Sequence, residues 1–162
     1  MDIDAPQFII LLSGNCSLFI KLKDRRVEVN MMDFNKSLEE IDGEDWGDPE
    51  KGATGLIRKC LALRRKPLKD FTNDDLTRMI SQKKSLKYLV PIAIKRLVDN
   101  PLNSGDYYRG DLLSSVLEVN MDFWKENLEL QEEFDMVVLD VLQAYETIVP
   151  LIKAYQDTNN LK

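Results

Sequence analysis

At 162 residues and 44% hydrophobic side chains, the chain is one domain or a domain with a small appendage. A chain of this length hides roughly 70% of its unfolded surface, so no disulfide framework is required. Histidine is absent, which removes the commonest general base, the usual catalytic triads and most imidazole-ligated zinc or di-iron sites. The net charge of −6 is unevenly spread, with 6 basic and 12 acidic side chains in residues 1–53, 13 and 5 in 54–110, and 3 and 11 in 111–162.

Asp2 and Asp4 stand where a signal peptide carries positive charge, and the apolar run Phe8 to Leu12 is far short of the roughly 20 residues of a membrane span. A soluble cytoplasmic protein is predicted. Cys16 and Cys60 both lie in apolar runs and read as inert core thiols rather than a redox or metal pair. Between Gln7 and Asn30, Leu18, Ile20 and Leu22 alternate with Ser17, Phe19 and Lys21, and Val27 and Val29 alternate with Arg26, Glu28 and Asn30. That period predicts a small antiparallel β meander; a helix over Phe8 to Lys23 is the competitor, with Gly14-Asn15 against it.

Ser37 to Glu50 holds seven carboxylates, no base and one large aromatic, Trp46. Such a segment repels itself and predicts a loop with at most one helical turn. It reads either as a solvated linker or as an acidic surface with an aromatic anchor for a basic partner.

The helices follow. Leu56, Ile57, Cys60, Leu61 and Leu63 give an apolar face to a helix from about Thr54 to Arg65, and Pro67 prevents its continuation. Thr72 with Asp75 predicts a capping box for a short helix carrying Leu76, Met79 and Ile80. Leu86, Leu89, Val90, Ala93 and Leu97 stripe the next helix, which either begins near Val90 or kinks at Pro91. Asp111 is placed as the cap of a helix with Leu112, Leu113, Val116 and Leu117. From Leu130 to Ile152 apolar residues recur at three and four, a long amphipathic helix preceded by a short turn around Asp122 to Glu126 and disturbed at Pro150. Asp122, Glu126, Glu129 and Glu133 share a face if that helix is continuous; a basic neighbouring helix or an external partner would each explain the retained repulsion.

Few groupings suggest chemistry. Asp74-Asp75 and Glu129, Glu132 and Glu133 are the carboxylate clusters, and neither has the partners of a metal or glycosidase site. Gly52-Ala53-Thr54-Gly55 lacks the lysine and length of a phosphate loop and reads as a flexible helix entry. Arg58, Lys59, Arg64, Arg65, Lys66 and Lys69, with Lys83, Lys84 and Lys87, raise a nucleic-acid-binding regulator as the alternative function, against which stand overall acidity and the lack of interleaved aromatics. Tyr107-Tyr108, in a glycine-bounded loop, is a recognition surface or packing over helix ends.

Taken as strings, Leu61-Ala62-Leu63-Arg64-Arg65-Lys66-Pro67-Leu68, Thr72 with Asp75-Leu76, Ile80-Ser81-Gln82, Leu86-Lys87-Tyr88-Leu89-Val90-Pro91-Ile92-Ala93, and Asn100-Pro101-Leu102 before Gly105-Asp106-Tyr107-Tyr108-Arg109-Gly110-Asp111-Leu112-Leu113 resemble one family of contact-dependent growth inhibition (CDI) immunity proteins. Lys83-Lys84-Ser85 stands where that pattern carries a glycine before Leu86. The resemblance covers about the central third of the chain. It implies a non-enzymatic cytoplasmic inhibitor that binds the C-terminal domain of a cognate CDI toxin, a basic nuclease and by association an EndoU-type RNase, with no cofactor, no metal, no membrane and no direct nucleic-acid contact. Predicted overall is a mainly α fold, a compact bundle of about five to six helices over residues 54–162, with residues 1–53 as meander and acidic loop packed on it. The matched strings read as scaffold, so toxin binding is assigned to Glu39, Glu40, Asp42, Glu44, Asp45, Trp46 and Asp48, then to Glu126, Glu129 and Glu133.

Overall fold

Leu38 and Leu68 have almost no exposed surface, and they join the acidic segment to the helical body. The computed structural model describes residues 32–159; the expected meander over 7–30 and Cys16 lie outside them. Among the described residues there are seven α-helices and no strands: α1 (Leu38–Asp42), α2 (Gly55–Arg64), α3 (Asn73–Ser81), α4 (Leu86–Asp99), α5 (Asp111–Leu117), α6 (Met121–Glu126) and α7 (Leu128–Asn159). A 3-10 turn, Leu68–Asp70, follows α2. The fold is mainly α, as predicted.

α3 packs on α4 and α5, α4 on α5 and α7, α6 on α7, and α2 on α3. The shared core is made by Leu76, Met79 and Ile80 of α3, Leu89, Val90, Ala93, Ile94 and Leu97 of α4, and Leu112 and Val116 of α5. Trp124 of α6 closes one side by stacking on Phe134 of α7, with ring centroids 5.4 Å apart.

The start signals act as the sequence predicts at α3. Thr72 Oγ1 accepts the Asp75 N–H at 3.2 Å, and Asp75 Oδ2 accepts the Thr72 N–H at 2.9 Å. Two otherwise orphaned donors are thereby satisfied. α4 begins at Leu86 and carries Pro91 inside it, so the helix starts earlier than Val90. Both Lys83 (φ 55°) and Ser85 (φ 52°) in the preceding turn are left-handed, a conformation that glycine adopts without steric cost. Ser85 therefore occupies a position whose backbone suits the glycine of the family pattern.

Three expectations need correction. Asp111 is not the cap of α5: Gly110 (φ 87°) precedes the helix, and the buried Asp111 carboxylate accepts the N–H groups of Gly105 at 2.6 Å and Tyr107 at 3.2 Å. It ties the loop back onto the helix start. The helical register from Asp122 to Glu133 is broken at Asn127 (φ −134°, ψ 55°), whose Nδ2 donates to the Phe123 carbonyl at 2.7 Å, so Asp122 and Glu126 do not continue the face of Glu129 and Glu133. On α2, Leu56 and Ile57 are exposed while Cys60, Leu63 and Arg64 are buried.

Candidate functional site

The acidic segment is held in shape by its own side chains. Ser37 and Glu40 form a capping box around α1, the Ser37 N–H donating to Glu40 Oε2 at 2.7 Å, which lowers the Glu40 pKa. Gly43 (φ 71°) ends the helix, and Asp42 turns inward to Arg64.

Arg64 is the centre of the arrangement, with a side chain only 2% exposed. Its Nη1 and Nη2 donate to Asp42 Oδ2 at 2.8 Å and Oδ1 at 2.6 Å, a bidentate pair. Nη2 also donates to the Glu44 carbonyl at 2.7 Å. The hydrogen bonds from Arg64 hold the Asp42 carboxyl below the usual carboxylate range, against the opposing effect of burial. The Trp46 ring lies over this guanidinium at 4.2 Å, and Lys84 Nζ stands 5.4 Å from the same ring. Trp46 Nε1 donates to Glu44 Oε2 at 3.3 Å.

Arg65 serves the outer half of the loop. It donates to Asp48 at 2.9 Å, Glu39 at 3.3 Å and the Gly47 carbonyl at 3.1 Å, and lies 3.8 Å from Asp45. Asp45 and Asp48 nonetheless stay open to solvent, at 70% and 85% side-chain exposure. Beside them is a shallow apolar hollow of about 150 Å³ lined by Trp46, Leu56, Ile57, Cys60, Leu61 and Lys84. Burial raises the Cys60 thiol pKa, which keeps this free cysteine in its less reactive thiol form.

The predicted site residues thus divide. Glu40 and Asp42 hold the loop; Glu39 pairs with Arg65; Glu44, Asp45, Trp46 and Asp48 form the outward rim. Glu126, Glu129 and Glu133 are exposed and have no ion-pair partner among the described residues. They belong to α6 and α7 rather than to the acidic segment.

Most of the basic cluster is engaged within the chain. Lys59 pairs with Asp74 at 3.1 Å and Lys66 with Asp75 at 2.7 Å, Arg58 donates to the Ala53 carbonyl, and Lys69 donates to Asn35. Burial pushes the Asp74 and Asp75 carboxyls up, but bonds from Lys59 and Arg78 to the first, and from Lys66 and Thr72 to the second, outweigh it and lower both. Among the described residues no three acidic or cysteine side chains are grouped to hold a metal ion. No described helix is long and apolar enough to cross a membrane.

One feature went unread in the sequence. The apolar face of α7 is exposed over its second half, including Leu142, Tyr145, Ile148 and Ile152. The apolar spacing read from Leu130 to Ile152 gave no sign of it, because the helix extends to Asn159 and its 32 residues span about 48 Å.

As a class, this is a helical protein whose buried carboxylates, Asp74, Asp75 and Asp111, are each engaged by cations or backbone donors. Residues 40–134, more than half of the chain, match the family model for CDI immunity proteins, and the chain belongs to that family. It is an immunity protein against a CDI toxin, in a family that is generally non-enzymatic. No curated protein and no solved structure matches the chain.

Proposed function

We propose that this immunity protein acts in the cytoplasm by covering the substrate surface of a basic nuclease toxin domain, an EndoU-type RNase being the activity the resemblance favours. The contact is made by the outward rim of Glu44, Asp45, Trp46 and Asp48, with Glu39 beside it and Glu40 and Asp42 holding the loop from behind. A nuclease binds phosphates with cations, so a carboxylate rim is attracted to the same groups and steers association. Trp46 and the hollow beside it add an apolar anchor at the centre of that rim.

The observation that carries the reading is the juxtaposition of an exposed apolar hollow with open carboxylates on a loop that is itself rigidly tied down by Arg64 and Arg65. A pre-shaped loop loses little entropy on binding. A nucleic-acid-binding role finds less support, because Lys59, Arg64, Arg65 and Lys66 are already paired inside the chain.

The test is the double variant Glu44→Lys, Asp45→Lys, which leaves the Asp48–Arg65 bond in place, titrated against the C-terminal domain of the cognate toxin. Affinity is expected to fall by about 100-fold or more with an unchanged circular dichroism spectrum. Unchanged affinity would remove the loop from the interface.

A further inference from the structure

α7 outruns the helices it packs on. Phe134 and Val137 are buried, yet from Leu139 to Thr158 no residue is. Leu142, Tyr145, Ile148, Leu151 and Ile152 are 48–66% exposed. Their spacing places them on one broad side of the helix, and an apolar face of this size on a surface marks an interaction site more often than not. Against it lies a groove of about 420 Å³, with Pro101 and Leu102 of the turn after α4 on one wall and Val141, Ala144, Tyr145 and Ile148 on the other. Asn103 and Asp111 fix that turn: Asn103 Nδ2 donates to the Arg96 carbonyl at 2.8 Å, and Asp111 accepts the Gly105 N–H.

The charges along the apolar side of α7 are predominantly acidic, with Lys153, seven residues after Glu146, the one base on its edges. Glu129, Glu133 and Asp140, spaced four and seven residues apart, run along one edge of the apolar side, and Asp135 and Glu146 flank the other. Residues 118–157 contain ten acidic side chains and only Lys125 and Lys153 as bases. Two such arms laid together would set acidic edges against each other, which disfavours a second copy of the chain as the occupant. A segment with an apolar ridge between lysines or arginines fits both the groove and its edges.

We propose that this face is a second docking surface for the toxin domain, taking an apolar, basic-flanked segment of it, separate from the rim around Trp46. The proposal rests on the immunity reading above. Ile148 and Tyr145 fill the centre of the contact, and Asp140, which lines the groove, and Glu146 beside Tyr145 set its orientation.

The experiment uses the full chain and the C-terminal domain of the cognate toxin in calorimetric titrations at physiological salt. Tyr145→Ala with Ile148→Ala is expected to weaken binding by about 10-fold and Ile148→Glu by about 100-fold, with thermal midpoint and monomeric mass unchanged. Affinities within twofold of the parent would overturn the proposal. So would a parent dimer that Ile148→Glu splits, which assigns the face to a second copy, or a clear loss of thermal stability in the alanine variant, which assigns it to packing within the chain. A parent chain that does not bind the toxin domain removes the immunity mechanism as well as this surface; sensitivity of the Trp46 rim alone removes this surface and leaves that mechanism standing.

Discussion

Replacing Asp42 by alanine removes the bidentate partner of a guanidinium that is 2% exposed. Loss of one member of a buried pair costs about 3–5 kcal/mol, since the remaining charge keeps its desolvation cost. Here the Glu44 carbonyl at 2.7 Å and the Trp46 face at 4.2 Å still face Arg64, so a loss of about 3 kcal/mol is expected. The reverse change, Arg64→Met, is milder, because the Asp42 side chain is 17% exposed and can take up water; about 1–2 kcal/mol is expected. The double variant should cost less than the sum of the two. Urea denaturation followed by far-ultraviolet circular dichroism at pH 7 measures all three. The Asp42 carboxyl titrates lower in the folded chain than unfolded, so its contribution is complete above about pH 4 and fades as pH falls through the folded value. Parent and Asp42→Ala should therefore draw together in stability as pH falls below about 4. The reasoning fails if Asp42→Ala costs under about 1 kcal/mol, or if Arg64→Met costs more than Asp42→Ala.

Asp75→Asn should cost about 2 kcal/mol at pH 7 by weakening the Lys66 pair and the Thr72 cap, and should flatten the acid limb of the stability profile. That limb falls as pH drops below about 4, since both Asp74 and Asp75 are depressed when folded; an unaltered limb in the variant would assign it to other carboxylates. At Gly105 a Cβ would stand 3.0 Å from both Asp111 Oδ2 and the Asp74 Cα, so Gly105→Ala is expected to cost about 1–3 kcal/mol, visible as a lower thermal midpoint. Ser85→Gly should stabilise by about 0.5 kcal/mol, as relief of the left-handed backbone exceeds the added unfolded-state entropy and the loss of a 3.4 Å contact to Arg64; equilibrium denaturation reads the sign.

What could be read from the chain was local. The Thr72–Asp75 box, the stop at Pro67 and the helical spacing of Leu89, Val90, Ala93 and Leu97 act within a few residues and appear where expected. The pairing of Arg64 with Asp42 spans 22 residues, and no local pattern distinguishes that arginine from the exposed Arg65 next to it. Leu56 and Ile57 share a helical face with Cys60, but α2 meets α3 through its Cys60 and Leu63 side, leaving the earlier turn uncovered. The break at Asn127 depends on a side-chain amide competing for the Phe123 carbonyl, and an asparagine within a helical pattern does not announce that choice. Periodicity along α7 marks an apolar face equally at Phe134, where it is covered, and at Ile148, where it is open. As for the site, composition located the acidic segment and its tryptophan, while the division of its carboxylates between holding the loop and facing solvent required the fold.

The chain has two tryptophans in opposite surroundings, Trp124 sealed against Phe134 and Trp46 over Arg64 at the rim of the hollow. Trp124 should emit at short wavelength, and Trp46, reached by water and flanked by cations, at longer wavelength. Excitation of the unlabelled protein therefore carries a built-in reference beside a reporter. An occupant closing over the hollow would shift only the red component, giving an optical titration that needs no dye.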